Sequence, residues 1–128
     1  NIKAEVNAVA ESRPMYEQRS WGEYRVIDSS VFSDGAKALT KELIIRNGNQ
    51  LSYQLHKHRS EVWTVVSGTG EVVLDGLVQQ VRTGSVVHIP VNMKHAGRAV
   101  GGDMHIIEVQ QGAILVEEDI ERFGNFWE

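Results

Sequence analysis

Short runs of β-branched and other apolar residues, separated by glycine-containing turns, follow one another along most of this chain. The intervening N-G-N, S-G-T-G, D-G, T-G and G-G-D sequences are typical of turns that tolerate a positive φ angle. Gly68, Gly76 and Gly84 recur at the spacing of hairpins. Many short strands at this spacing favour an antiparallel sandwich or barrel, so the sequence predicts an all-β fold. The runs cover residues 40–45, 51–56, 61–66, 70–75, 77–82, 85–90 and 104–110.

The length of 128 residues fits a single domain. Residues 1–20 are polar and show no sustained periodicity, which indicates an N-terminal arm. We therefore expect an arm over residues 1–20 and one domain over residues 21–128. Near the C-terminus, residues 116–123 (VEEDIERF) predict a helical turn, because acidic residues at a helix start are favoured by the helix dipole.

The composition argues against several classes of protein. With 17 acidic and 13 basic residues the net charge is −4, whereas nucleic-acid and anionic-membrane partners need a basic surface. No apolar run approaches the roughly 20 residues that span a bilayer, and no signal peptide is recognisable, so we expect a cytoplasmic protein. The chain has no cysteine, which excludes disulfides, iron–sulfur clusters and thiolate zinc sites. Any metal must therefore be bound by histidine, carboxylate or amide side chains.

Most of the candidate metal-binding side chains lie in the run at 51–56 and just after it, and one more, His95, follows Pro90. If the strand stays extended, Gln54, His56 and His58 share one face of it. Polar side chains on an otherwise apolar strand must face water, one another or a cation, because burying them unpaired is costly. Imidazole and carboxylate ligands suit a divalent transition metal such as Zn, Fe, Mn, Co or Ni. The candidate ligands are Gln54, His56, His58, Glu61 and His95.

The spacing of these residues resembles that of the cupins, small double-stranded β-helix (jelly roll) barrels with two signature motifs. The first motif, G-x5-H-x-H-x(3–4)-E-x6-G, is matched over residues 48–68, with Gln54 in the first histidine position. The second, G-x5-P-x-G-x2-H-x3-N, is matched over residues 84–99, with Asn92 and Ala99 in place of glycine and asparagine. The resemblance implies a cupin barrel, with His58 as an additional inward-facing candidate. It makes Gln54, His56, Glu61 and His95 the equivalents of the four cupin ligands.

A narrower resemblance covers residues 19–123, which are similar to the cupin domain of type II phosphomannose isomerases. In many bacteria that domain is the C-terminal part of a bifunctional mannose-1-phosphate guanylyltransferase/mannose-6-phosphate isomerase. The 128 residues contain no counterpart of the guanylyltransferase half, so we expect no nucleotidyl transfer by this chain. The stretches that carry the resemblance include RSWGEY (19–24), LSYQLHKHRSE (51–61), VVSG (65–68) and EEDIERF (117–123).

The chain departs from the family pattern at a few positions. It has Asn47 where the family usually has proline, and Val62 where the family usually has histidine. His95 is followed by Ala96, whereas the family usually has His-Arg, and a guanidinium there would bind a sugar phosphate bidentately. These departures leave the metal ligands in place but affect the part of the site that would bind phosphate. Arg98 is one candidate to replace the guanidinium that is missing at Ala96.

The resemblance implies a metal-dependent isomerase that converts mannose 6-phosphate to fructose 6-phosphate. It would use one divalent transition metal, with zinc first and Mn, Fe, Co or Ni as alternatives, and a base that moves a proton between C1 and C2. Two other functions stay open: a metal-containing cupin that binds a sugar or sugar phosphate without catalysis, and a different metal-dependent cupin enzyme such as a dioxygenase. Because small cupins commonly pair through edge strands, we expect a homodimer. The candidate catalytic and phosphate-contacting residues are Glu108, Lys41 and Arg122, with His58 as a further candidate base.

Overall fold

The computed structural model describes residues 15–128, and its regular secondary structure consists of strands joined by turns. In this part of the chain no helix is long and apolar enough to cross a membrane. Of the predicted arm, residues 1–14 lie outside the described residues, and the first strand begins at Tyr16. Within residues 15–128 the strands are Tyr16–Arg19 (β1), Gly22–Val31 (β2), Lys37–Ile45 (β3), Gln54–Leu55 (β4), Ser60–Ser67 (β5), Thr69–Leu74 (β6), Leu77–Arg82 (β7), Val86–Ile89 (β8), His95–Ala99 (β9), Met104–Gln111 (β10) and Glu121–Arg122 (β11).

The strands form two antiparallel sheets that share one hydrophobic core. The six-stranded sheet has the order β1-β2-β3-β10-β5-β8, and the five-stranded sheet has the order β11-β4-β9-β6-β7. The core is built from both sheets, for example by Leu43 and Ile106 from the first and Val72 and Val81 from the second. The all-β prediction is confirmed, and the homodimer through sheet edges stays a prediction.

The interior of the barrel is apolar at one end and polar at the other. On the central strands β3, β10 and β5, alternate side chains point inward and are buried. At one end Leu43, Ile106 and Val65 lie side by side across the three strands. Two residues further along each strand, Lys41, Glu108 and Trp63 occupy the corresponding inward positions. Four of the buried polar residues of the protein, Lys41, Glu61, Glu108 and Gln110, are therefore grouped at one end of the barrel.

The predicted helical turn over residues 116–123 is wrong. Residues 117–118 form a turn, and Glu121–Arg122 forms β11, which pairs with β4. An isolated segment of this length does not sustain a helix without tertiary support. Here the tertiary contacts favour an irregular backbone, because the Asp119 carboxylate accepts hydrogen bonds from the backbone N–H groups of Lys57 and His58.

Among the strands without a counterpart in the predicted runs, β2 and β9 are the longest. β2 contains the polar stretch Asp28–Ser30, and β9 has the sequence HAGRA, which is poor in β-branched residues. Both strands are held by pairing on two sides, β2 between β1 and β3 and β9 between β4 and β6. Gly97 of β9 has a packing role, because a Cβ at this position would lie 3.1 Å from Cζ3 of Trp63. β9 thus brings His95 to the polar end of the barrel and leaves room for the indole beside it.

Candidate metal centre

Three of the predicted ligands, His56, Glu61 and His95, form a compact buried group. Glu61 lies on β5, His95 opens β9, and His56 directly follows β4, whose Gln54 pairs with His95. Nε2 of His56 lies 3.2 Å from Oε2 of Glu61, and Nε2 of His95 lies 3.7 Å from Oε1. One potential ligand atom from each residue lies within 4.8 Å of the other two. All three side chains are at most 3% exposed, so the group is held by the packing around it.

Both imidazoles are oriented for metal binding through Nε2. Nδ1 of His56 donates to the backbone carbonyl of Asp119 at 2.7 Å, and Nδ1 of His95 donates to that of Met93 at 3.0 Å. A carbonyl only accepts, so the proton is on Nδ1 and the lone pair of Nε2 points toward Glu61. Burial, reinforced by the charge of Arg59, lowers the pKa of His56 to about 4, and burial lowers the pKa of His95. Two neutral imidazoles and one carboxylate fit a divalent transition metal.

Glu61 also accepts hydrogen bonds from two neighbours. The indole N–H of Trp63 donates to Oε1 at 3.0 Å, and Nε of Arg59 donates to Oε2 at 2.9 Å. Arg59 extends further, because its Nη2 lies 3.3 Å from Nε2 of His56. The carboxylate is therefore oriented by donors on both oxygens, which holds it in place between the two histidines.

The other two predicted ligands have different positions. Gln54 lines the same cavity as His56, and its amide nitrogen donates to the carbonyl and hydroxyl oxygens of Ser52. The structure does not bring His58 to the group. The extended chain ends after Leu55 and bends at residues 57–58, so the strand alternation that placed His58 beside His56 does not apply. His58 is exposed and lines a second cavity with Ile114 and Val116.

A cavity of about 470 Å³ opens above the polar end of the barrel. His56 and Glu61 lie in its wall, and so do the three predicted catalytic and phosphate-contacting residues. Lys41 and Glu108 come from neighbouring positions on β3 and β10, and Arg122 comes from β11, where it pairs with Gln54. The C-terminal segment that replaced the predicted helical turn thus supplies one side of the cavity.

Glu108 is a second buried acid of this cavity. Its Oε1 accepts the same indole N–H that contacts Glu61, at 3.0 Å, and its Oε2 accepts from Nε2 of Gln110 at 2.8 Å. Burial and the charge of Glu61 raise the pKa of Glu108. A raised pKa makes a carboxylate a stronger base, which suits a group that takes up and releases a proton.

Lys41 is buried and has defined contacts. Its Nζ lies 3.2 Å from Oε2 of Glu117 and 4.2 Å from the centre of the Tyr24 ring. The hydroxyl of Tyr24 lies 2.9 Å from Oε1 of Glu117. The ammonium group is therefore held in the wall of the cavity by an ion pair and an aromatic face.

The family can be identified from the sequence comparisons. A family model described as Mannose-6-phosphate isomerase C-terminal matches residues 6–125. The chain belongs to this family. It is 41% identical over 110 residues to the alginate biosynthesis protein AlgA of Pseudomonas putida, covering 85% of this chain and 22% of that protein. It is 34% identical over 108 residues to a mannose-1-phosphate guanylyltransferase of Escherichia coli, covering 84% and 22%. The chain thus spans about a fifth of the length of the curated relatives it matches.

Solved structures confirm the cupin fold. An oxalate decarboxylase of Bacillus subtilis superposes with a TM-score of 0.74 at 15% identity, over 88% of this chain and 31% of that chain. An RmlC-like cupin of Shewanella frigidimarina superposes with a TM-score of 0.66 at 16% identity, over 84% and 89% of the two chains. At these identities the likeness establishes the fold of this mannose-6-phosphate isomerase C-terminal family member and nothing further about its chemistry.

The motif spacing does not predict two residues of the site. Arg59 lies inside the family stretch 51–61, between His56 and Glu61, at a position that the motif does not mark as functional. Arg19 belongs to the family stretch 19–24 and lies within the predicted arm, whereas the structure has it at the end of β1 and in the cavity wall. Their positions inside family stretches were the available signal. Charged residues inside a family stretch are candidates for contact with the metal ligands or the substrate.

Acid is expected to destabilise this protein when a chelator is present. His56 binds a proton near pH 6.5 in the unfolded chain but only near pH 4 in the folded protein, so unfolding takes up a proton in that interval. The free energy of unfolding should therefore fall as the pH is lowered from 7 to 4, by on the order of 3 kcal/mol from His56. The lowered pKa of His95 acts in the same direction. Urea denaturation in EDTA at pH 7, 6, 5 and 4 measures the loss.

Glu108 opposes this effect. Because its pKa is raised in the folded protein, the folded state binds a proton before the unfolded chain does, and Glu108 favours folding as the pH falls. The variant Glu108→Gln removes this contribution, so its stability should fall more steeply between pH 7 and 4. A denaturation midpoint that is constant or rises between pH 7 and 5 in Glu108→Gln would contradict the assignment of two neutral buried imidazoles.

Proposed function

We propose that this chain is a metal-dependent sugar-phosphate isomerase of the mannose 6-phosphate to fructose 6-phosphate type. The proposal rests on one observation: in this family member, candidate metal ligands and cationic side chains line the same cavity. His56 and Glu61 lie in its wall, as do Lys41, Arg19 and Arg122. A sugar phosphate has hydroxyl and carbonyl oxygens at one end and a dianion at the other, so it matches this distribution of groups.

His56, Glu61 and His95 would hold the metal, with the carbonyl oxygen of Gln54 as a fourth ligand. When bound, a divalent ion supplies a Lewis acid that polarises a carbonyl and its neighbouring hydroxyl. The indole N–H of Trp63 donates to Oε1 of Glu61 and fixes the direction of its carboxylate.

Glu108 is the residue that we assign to proton transfer between C1 and C2. It lies in the cavity wall, and burial together with Glu61 raises its pKa, as a carboxyl that alternates between base and acid requires. Lys41 was the other sequence candidate that the structure keeps in the cavity. Its ammonium group is paired with Glu117 and packed on Tyr24, so it serves better as a fixed positive charge than as a base.

Arg122 and Arg19 are the proposed phosphate contacts at the cavity wall. Guanidinium groups bind phosphate through two parallel hydrogen bonds, which fixes the far end of the substrate. Arg98, suggested by the sequence as a substitute for the arginine missing at Ala96, lies elsewhere. Its Nε donates to Glu71 at 2.7 Å and its guanidinium packs over the ring of Trp127.

A coupled assay for fructose 6-phosphate tests the proposal. The protein is loaded in turn with Zn, Mn, Co, Ni and Fe(II), metal content is measured on the same samples, and turnover should follow occupancy. In the variant Arg122→Gln the KM for mannose 6-phosphate should rise about tenfold or more, since a charge-assisted hydrogen bond is lost. The matched variant Arg98→Gln should leave KM unchanged, because Arg98 is paired outside the cavity.

Binding without catalysis is the second candidate, and Ala96 favours it. This residue is fully buried on β9 next to His95, at the position where the family usually has arginine. If every metal is bound and mannose 6-phosphate still binds without turnover, the chain is a binding module and the isomerase proposal is wrong.

A further inference from the structure

Arg59 contacts the two ligand atoms that lie closest together in the metal-binding group. Its Nε donates to Oε2 of Glu61 at 2.9 Å, and its Nη2 lies 3.3 Å from Nε2 of His56. These two acceptor atoms are themselves 3.2 Å apart. The guanidinium therefore spans both atoms, and its side chain is only 6% exposed.

The contact with His56 uses the atom that a metal needs. Nδ1 of this imidazole carries the proton, because it donates to the carbonyl oxygen of Asp119. Nε2 then has a single lone pair in the plane of the ring. That lone pair accepts an N–H of Arg59 or binds a cation, and it does not do both. The Oε1 side of Glu61, with Trp63 and His95, has no contact with the guanidinium.

Charge reinforces this exclusion. A guanidinium against Glu61 neutralises a carboxylate that is almost completely buried, and a buried carboxylate without a cationic partner is strongly destabilising. A divalent ion on the same carboxylate supplies that neutralisation itself and repels the guanidinium. Arg59 is part of the cavity wall, so the guanidinium has the cavity to turn into. Its Nη1 donates to the carbonyl oxygen of Val116 at 3.4 Å, a contact that this movement does not need.

We propose that Arg59 and a divalent metal ion compete for Nε2 of His56 and Oε2 of Glu61, so that Arg59 sets the metal affinity of the site. Metal binding requires the guanidinium to leave His56 and turn into the cavity. Arg59 is thus a positioning residue that acts through the metal ligands. The proposal rests on the metal-binding part of the proposed function and is independent of turnover.

Zinc affinity measured against a chromophoric chelator tests the competition. In Arg59→Gln the competing cation is gone while an amide donor to Glu61 is kept, so Zn²⁺ should bind about tenfold tighter or more. The control Arg98→Gln removes an arginine of the same barrel that is paired with Glu71 away from the site, and its Zn²⁺ affinity should be unchanged.

Stability provides a second readout that a merely structural arginine would not give. In EDTA the melting temperature of Arg59→Gln should fall, because Glu61 loses its ion pair. Addition of Zn²⁺ should raise the melting temperature of this variant more than that of the unsubstituted protein. Unchanged or weaker Zn²⁺ binding by Arg59→Gln overturns the proposal, and so does an equal Zn²⁺-induced shift in the two proteins.

Nuclear magnetic resonance on the unsubstituted protein keeps the test valid if Arg59→Gln does not fold. The Nε–H signal of Arg59, assigned by its loss in Arg59→Lys, should shift during a Zn²⁺ titration and stop changing at one equivalent. A signal that does not respond to bound Zn²⁺ overturns the proposal. Each readout uses Zn²⁺ alone, so it does not depend on isomerase activity. If Arg59 and Zn²⁺ compete but the protein has no turnover, only the proposed function is contradicted.

Discussion

Replacing His56 and His95 together with alanine is expected to remove metal binding and, with it, the proposed isomerase turnover. The two imidazoles provide the only nitrogen donors of the His56–Glu61–His95 group, and each has its Nδ1 on a backbone carbonyl and its Nε2 toward Glu61. The remaining carboxylate is a poor site for a transition metal. We expect Zn²⁺ affinity to fall by at least about 100-fold. Metal content after dialysis and the coupled fructose 6-phosphate assay give the two readouts.

His88→Ala is the matched control for this double substitution. His88 is a strand histidine of β8 whose side chain is exposed, so it should retain both metal and turnover. Circular dichroism of the double variant in EDTA separates loss of ligands from loss of fold, because the barrel core lies mainly outside this group. Turnover that persists in a folded, metal-free double variant would rule out the metal-dependent mechanism.

Trp63→Phe is expected to cause a large loss of stability for a substitution between two aromatic residues. The indole is 1% exposed, and its single N–H lies 3.0 Å from both Oε1 of Glu61 and Oε1 of Glu108. Phenylalanine removes the donor that two buried carboxyl groups share, and it leaves part of the indole volume empty. We expect the free energy of unfolding to fall by about 2–4 kcal/mol, as measured by urea denaturation at pH 7.

The same substitution at Trp127 is the control. Trp127 is half-buried near the C-terminus, where its ring packs on Phe126 and Arg98, and its backbone is hydrogen-bonded to Gln50. Trp127→Phe keeps an aromatic ring in that position and should change stability by less than about 1 kcal/mol. Equal effects of the two substitutions would mean that the shared N–H of Trp63 contributes little.

The sequence predicted the strands that have strong local patterns. Residues 77–82 were expected as a strand and form β7 with those bounds, and the run at 104–110 forms most of β10. β9 was missed because its sequence, HAGRA, has no β-branched residue and its strand conformation is imposed by β4 and β6 on either side. The helical turn was predicted wrongly for a related reason. Local charge favours a helix there, whereas the hydrogen bonds of Asp119 to residues 57 and 58 favour an open loop.

The site residues show the same contrast between what local pattern predicts and what tertiary contacts decide. Motif spacing selected His56, Glu61 and His95, and the structure brings these three together. His58 was selected by strand alternation, which applies only while the chain is extended, and the bend at residues 57–58 ends that condition. Arg59 was given no role because sequence spacing does not show which way a long side chain turns.

The sequence by itself determined the family, the all-β cupin barrel and the residues that can bind a metal. These properties depend on residue type, on the order of short strands and on spacing along the chain, which are all local or nearly so. The tertiary structure alone decided the burial of Glu108 and Lys41, the bond of Arg59 to His56, and the approach of Arg19 and Arg122 to one cavity. Burial and pKa shifts depend on atoms from distant parts of the chain that only folding brings into contact. The direction in which a long side chain such as Arg59 turns depends on the packing around it, which spacing along the chain does not show.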